Sequence, residues 1–252
     1  MDPLVSGLLF LAGLTGGFID SIAGGGGLIT VPALLATGLP PAVALGTNKL
    51  QSSFGTALAV WRYARAGLTR APGLALAVGV AGVASAVGTR AVLVLDPEIL
   101  RRLVPWLLLA VAVYTAVNPR FGRQAGRARL PAPLFAVAAG GALGFYDGFF
   151  GPGTGSFWMV ALVALQGLEL KEATGYTKAV NLASNLGALA IFLHGGSVNF
   201  RAAGFMIAGQ LLGARLGSGL VLRKGAGLIR PVFLAVAVAL SLRLLWQAWL
   251  GG

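Results

Sequence analysis

Four ionisable residues stand inside long apolar stretches of this sequence: Asp20, Lys49, Asp147 and Lys178. The chain has seven acidic residues in all and uses arginine for most of its positive charge. Two aspartates and two lysines in apolar surroundings are therefore a large share of a small supply. They are also related by spacing: Asp20 precedes Asp147 by 127 residues, and Lys49 precedes Lys178 by 129. An ionisable side chain within a bilayer costs several kcal/mol and marks a functional position unless a partner neutralises it. A lysine offers a compact ammonium that attracts an anion and can lose its proton, which a guanidinium cannot. An aspartate can neutralise that ammonium or carry a proton of its own.

The residues around each lysine are polar. Thr47, Asn48, Gln51, Ser52 and Ser53 surround the first, and Thr177, Asn181, Ser184 and Asn185 the second. Residues 48 and 52, 49 and 52, 177 and 181, and 181 and 185 fall on shared helical faces. Each set would line one stripe of a helix with amides, hydroxyls and one ammonium. Two readings fit. In one, Lys49 and Lys178 bind an anion, helped by Asn48, Gln51, Ser52, Thr177, Asn181 and Asn185. In the other, the lysines snorkel to the interface or are neutralised by pairs Asp20–Lys49 and Asp147–Lys178. The two can coexist. Each aspartate is followed by a glycine-rich loop, Gly24-Gly25-Gly26-Gly27 and Gly151-Pro-Gly153-Thr-Gly155. Glycine lets a ligand approach the backbone, and free N–H groups at the start of the next helix favour an anion. Close helix packing would call for the same glycines. No Gly-Lys-Ser/Thr follows at P-loop spacing. His194 is the single histidine and sits near an expected helix end, where an interfacial role is expected.

The elements that must position these residues follow from composition. Of 252 residues 57% are apolar and 10% charged, with a mean hydropathy of +0.84. A soluble domain carries about 25% charged residues, so disorder and an ordinary soluble enzyme are excluded. The net charge of +12 does not indicate a nucleic-acid partner. Most arginines lie between apolar runs, as Arg62, Arg65, Arg70 and Arg120, Arg123, Arg127, Arg129 do, which is the pattern of short cytoplasmic loops in a polytopic membrane protein. Trp61, Trp106, Trp158, Trp246 and Trp249 mostly mark segment ends. With no cysteine, disulfides and thiolate metal sites are excluded. No Ser-His-Asp, HExxH or paired-carboxylate arrangement is readable, so no catalytic residue, metal ligand or cofactor is assigned. The stretch 4–19 lacks a basic leader and a small-residue cleavage pattern, and is read as a retained helix.

Apolar segments fall at about 4–20, 28–37, 41–63, 72–94 and 99–118, and again at 131–147, 156–166, 172–193, 202–222 and 227–250. A basic, proline-containing linker at 119–130 separates them. The two sets match in detail: Gly46 with Gly175, Ser52 with Asn181, Ala66-Gly67 with Gly195-Gly196, and Gly82 and Gly88 with Gly213 and Gly219. The expected fold is an all-α polytopic bundle of two homologous repeats, 1–118 and 131–252. It would hold about eight full spans plus short broken or re-entrant helices, the two-repeat construction of secondary transporters. If 28–37 only dips into the membrane, the repeats are parallel, and loop Lys and Arg divide eight against seven. If it crosses, the repeats are inverted and the division is eleven against four, which the positive-inside rule favours. Ten helical residues reach only about 15 Å, which opposes a crossing.

The stretches GGFIDSIAGGGGLITVPALLATGLPPAVALGTNKLQ and GFYDGFFGPGTGSFW, with WRYARAGLTR and HGGSVNFRAA, resemble the TauE/SafE sulfite exporter family, also called the toluenesulfonate uptake permease family. The resemblance covers nearly the whole chain. It implies a multi-pass inner-membrane protein that moves sulfite, sulfonates or related anions, and it assigns no particular site residues. The expectation is a secondary transporter for a small anion, working between the two repeats in the lipid bilayer. The alternatives are an anion channel with a lysine-lined pore and a membrane scaffold. The oligomeric state is left open, a homodimer included.

Overall fold

The computed structural model describes residues 2–93, 125–151 and 153–249. The expected segment at 99–118, the first half of the 119–130 linker, Trp106 and Pro152 lie outside them. Among the described residues the chain forms nine α-helices and no strand. They are α1 Pro3–Ala23, α2 Gly27–Leu35, α3 Pro41–Arg65, α4 Leu74–Val92, α5 Ala132–Phe149, α6 Thr154–Gln166, α7 Leu170–His194, α8 Phe200–Lys224 and α9 Ala226–Trp249.

Local signals set the ends of these helices. Asp2 caps α1 by accepting from the Leu4 amide at 2.9 Å, with Pro3 at the first helical position. Asn199 caps α8 by accepting from the Ala202 amide at 2.9 Å, while its own amide donates to Thr47 Oγ1 at 2.9 Å. That bond ties the start of α8 to the start of α3. Gly24 and Gly151 end α1 and α5 at φ of +81° and +86°, a left-handed backbone that a Cβ disfavours.

Helices α1, α4 and α8 are long and apolar enough to cross a bilayer. At 25 residues each, α3 and α7 reach about 37 Å, also enough to cross, but their polar stripes lower their hydropathy. Large apolar side chains such as Leu4, Leu8, Leu11, Val83, Val87, Leu134, Val137 and Leu216 are exposed, whereas Thr47, Gln51, Lys49, Lys178 and Asp147 are buried. Apolar outside and polar inside is the arrangement lipid demands.

The most extensive helix pairings are α1 with α8 and α4 with α5, followed by α4 with α7, α3 with α8 and α3 with α7. Glycines make the first two close. A Cβ on Gly13 or Gly17 would strike the main chain of Met206 or Gln210, and one on Gly209, Gly213 or Gly217 would strike Phe10, Leu14 or Phe18. In α4 and α5, Gly144 and Gly148 abut Ala81 and Ser85, and Gly88 abuts Phe145. Such small residues let membrane helices approach backbone to backbone.

The same contacts fix direction. Residue numbers rise together along α1 and α8, and along α4 and α5, so each pair is parallel. Helix α3 also runs with α8: Gly46 meets Ser197, Gly55 meets Gln210, and Arg62 meets Gly219. Helices α3 and α7 run antiparallel, because Gly46 at the start of α3 meets Phe192 near the end of α7, and Gly175 near the start of α7 meets Leu68 just past α3. Since α1 and α3 share a direction, residues 24–40 return the chain between them. They do so with the nine-residue α2, about 13 Å long, and the stretch that follows it.

Candidate functional site

A cavity of about 50 Å³ lies where the ends of α1 and α5 meet the starts of α2 and α6, between α3 and α7. One water needs about 10–15 Å³ by this measure, so the cavity has room for a small ion. Helix α3 contributes Asn48, Lys49 and Ser52, and α7 contributes Asn181 and Asn185. Asp20 and Asp147 come from α1 and α5. The glycine loops and first turns that open α2 and α6 add Gly25, Gly27, Gly151, Gly153, Thr154 and Gly155. Two helix N-termini, with their positive dipole ends, thus border the cavity.

Both lysines are neutralised, but across the sequence halves. Lys49 Nζ donates to Asp147 Oδ1 at 3.0 Å and to the Asp147 main-chain oxygen at 2.9 Å. Lys178 Nζ donates to Asp20 Oδ2 at 3.1 Å. The pairs expected from sequence, Asp20–Lys49 and Asp147–Lys178, do not form. The reason is the antiparallel packing of α3 on α7, which brings the start of α3 beside the end of α5 and the start of α7 beside α1. The pairs also differ in setting. Lys49 and Asp147 both line the cavity, while of the second pair only Asp20 does. Thr154 Oγ1 donates to Asp147 Oδ1 at 3.2 Å, and Asp147 Oδ2 has no hydrogen-bond partner among the described residues.

Several residues singled out by sequence lie elsewhere. Gln51 is fully buried behind the cavity wall, donating to Asn48 Oδ1 at 2.8 Å and Ser52 Oγ at 2.9 Å. It orients the wall rather than lining it. Thr177 and Lys178 are closed off. Gly24 packs on the second loop, where a Cβ would lie 2.7 Å from the Gly155 Cα, and Gly26 packs on Gly16 of α1. His194 is exposed at the last residue of α7. Conversely, the sequence reading passed over Val31, Leu45 and Phe150, which line the cavity. Apolar residues in an apolar chain carry no signal. It also passed over Thr30, which donates to Asn48 Oδ1 and fixes that amide, and Thr154, whose place in the second glycine loop was a readable cue. Among the described residues no three His, Asp or Glu side chains gather to hold a metal ion.

The arrangement can offer an entering anion one ammonium, two helix N-termini and several amides, with two carboxylates to compensate the lysines when the anion is absent.

Comparison with known proteins gives the family. Residues 9–244 match the family described as "Sulfite exporter TauE/SafE". The chain is 42% identical over 258 aligned positions to the "Probable membrane transporter protein YfcA" of Escherichia coli K12, covering 100% of this chain and 96% of that protein. It is 40% identical to the "Probable membrane transporter protein ORF9" of a Sinorhizobium species, and 41% identical to a "Probable membrane transporter protein" of Haemophilus influenzae, covering 96% of this chain and 95% of each relative. No solved structure matches. A helical bundle with lipid-facing apolar sides, a polar interior cavity and a family match over nearly its full length together place this multi-pass membrane transporter in the TauE/SafE sulfite exporter family.

Proposed function

We propose that the chain is a secondary transporter of the inner membrane for a small anion, sulfite or a compact organosulfonate, by alternating access to the cavity between α3 and α7. The observation that carries this reading is Lys49 at the wall of a cavity faced by two helix N-termini. A volume near 50 Å³ suits a small oxyanion better than an aromatic sulfonate, which would need the cavity to enlarge. An anion that takes the Lys49 ammonium displaces the Asp147 carboxylate, and that carboxylate then either takes a proton or is held by Thr154.

The reading includes two inverted repeats, 1–118 and 131–252, joined by 119–130. Supporting it, the sequence-equivalent helices α3 and α7 run antiparallel. The chief packing also survives exchange of equivalents: α1 with α8 becomes α5 with α4, and α3 with α8 becomes α7 with α4. Inversion leaves the arginine-rich ends of α3 and α8 on one side, which the positive-inside rule makes cytoplasmic.

The test is anion binding to purified protein by thermal shift, using sulfite, sulfate and sulfoacetate, because a ligand of the native state raises its melting temperature. Lys49→Gln is expected to fold and to bind about ten- to a hundred-fold more weakly, the worth of one charge-assisted contact of roughly 1.5–3 kcal/mol. Unchanged affinity in folded Lys49→Gln would remove the anion site. Uptake against a gradient in liposomes separates a transporter from a channel.

A further inference from the structure

The cavity is lopsided. Along α3 it exposes Leu45, Asn48, Lys49 and Ser52, whereas the residues 129 positions later, Thr174, Thr177, Lys178 and Asn181, contribute only Asn181. Asn48 and Lys49 keep 8% and 5% of their surface exposed, while Thr177 and Lys178 keep 0% and 1%. The imbalance repeats on the opposite helix, where Asn185 of α7 lines the cavity and its equivalent Thr56 on α3 is shut away.

Like Asp147 Oδ2 and Asn181 Oδ1 in the cavity wall, several shut-away members hold buried polar atoms without a partner among the described residues. Thr177 Oγ1 and Thr56 Oγ1 are buried with no hydrogen-bond partner among the described residues. So is the indole Nε1 of Trp158, the equivalent of the cavity residue Val31. A threonine in a helix readily bonds the carbonyl one turn back, as Thr47 and Thr174 do here. An orphaned buried hydroxyl costs about 1–3 kcal/mol and calls for an explanation. Both orphaned threonines belong to the set whose equivalents, Asn48 and Asn185, line the cavity. Because α3 and α7 run antiparallel, that set lies toward the opposite end of the helix pair.

We infer that Thr56, Thr177, Lys178 and Trp158 line a second, latent cavity, closed in this structure, through which the same small anion reaches the opposite face of the membrane. When the halves exchange conformations, Asn48 and Asn185 take the sealed positions and Thr177 and Thr56 become wetted. Lys178 then stands where Lys49 stands here, with Asp20 as the carboxylate it gives up. The inference rests on the two-repeat transporter reading and adds its second access route.

The natural absence of cysteine makes the test direct. Single variants Asn48→Cys, Thr177→Cys, Thr56→Cys and, as a silent control in the apolar core, Ala136→Cys are prepared in membranes. Each is treated with sulfonatoethyl methanethiosulfonate, a small impermeant anion, in right-side-out and in inside-out vesicles. Melting temperatures like the parent's, and full reaction in denaturant, certify each protein. Asn48→Cys is expected to react quickly from one face. Thr177→Cys or Thr56→Cys is expected to react from the opposite face, slower by about ten- to a thousand-fold if the exchanged state is populated at 0.1–10%. Ala136→Cys stays unreactive. Reaction of both threonine positions from the same face as Asn48→Cys, or silence of both over that range, would overturn the inference. The labelling reads access to the thiol and not affinity for the test anions, so opposite-face reactivity in a protein that fails to bind sulfite, sulfate or sulfoacetate would reject the anion reading and leave the second route standing.

Discussion

Removing one carboxylate should show which lysine it serves. In Asp20→Asn the ammonium of Lys178, whose side chain is 1% exposed, loses the single partner it has among the described residues. In Asp147→Asn the ammonium of Lys49 loses its carboxylate but keeps the residue's main-chain oxygen at 2.9 Å. Breaking a buried pair from one side costs about 3–5 kcal/mol. Asp20→Asn belongs at the upper end and Asp147→Asn at the lower, and the ion left behind by Asp20→Asn is the less solvated of the two. For a chain of this size a loss of 1 kcal/mol lowers the melting temperature by roughly 2–4 °C. The expected drops are therefore about 10–20 °C and about 6–12 °C on the same scale. The discriminating measurement is the pair of double variants, melted in detergent, with the yield of folded protein in membranes as a second readout. Asp20→Asn with Lys178→Gln should recover most of the loss, since no buried charge remains unpaired. Asp20→Asn with Lys49→Gln should be worse than either single change, since it strands Lys178 and Asp147 together. Recovery in the second double variant and none in the first would refute the crossed pairing.

Two further outcomes follow from the packing and the topology. Gly213→Ala places a methyl group against the Leu14 carbonyl and should cost about 1–3 kcal/mol by overpacking, while Gly79→Ala, with nothing within 4 Å of its Cβ, should be neutral or gain up to about 1 kcal/mol in helix propensity; equal melting temperatures for the two would show that α1 and α8 are not in backbone contact. Cysteines at Asp2 and at Arg127 should react with an impermeant reagent from opposite faces, Arg127→Cys from the cytoplasmic one, because the start of α5 abuts the start of α4, just past the arginine-rich end of α3, where a Cβ on Gly73 would lie 2.9 Å from the Ala132 carbonyl oxygen; reaction of both from one face would overturn the proposed orientation.

Helix positions were legible because apolar runs and their glycine and proline punctuation are local properties. The short segment read at 28–37 is α2 at Gly27–Leu35, and the one read at 156–166 is α6 at Thr154–Gln166. The importance of Asp20, Lys49, Asp147 and Lys178 was legible because a charge in an apolar run stands out. Their partners were not. A constant offset identifies which residues are equivalent, but whether a lysine faces the aspartate of its own half or of the other depends on the relative direction of α3 and α7. Periodicity also could not separate Ser52, which lines the cavity, from Gln51 beside it, which braces Asn48 from behind. That choice turns on where α2 and α8 press against α3.

The glycine-paved contact between α1 and α8 has a consequence for how the protein is made. Gly13 rests on Met206, 193 residues further along the chain. At roughly 5–20 residues per second of synthesis, α1 waits about 10–40 s for the helix that covers its glycine face. The contact between α4 and α5 spans a much shorter stretch of chain, as between Ala81 and Gly144, and can close far earlier. Helix α1 must therefore pass this interval in the bilayer with its small-residue face against lipid, a chaperone or a temporary helix neighbour. Final assembly inserts α8 beside a helix that entered the membrane first, so the two sequence halves mature as one interlaced body rather than as two finished pieces that later dock.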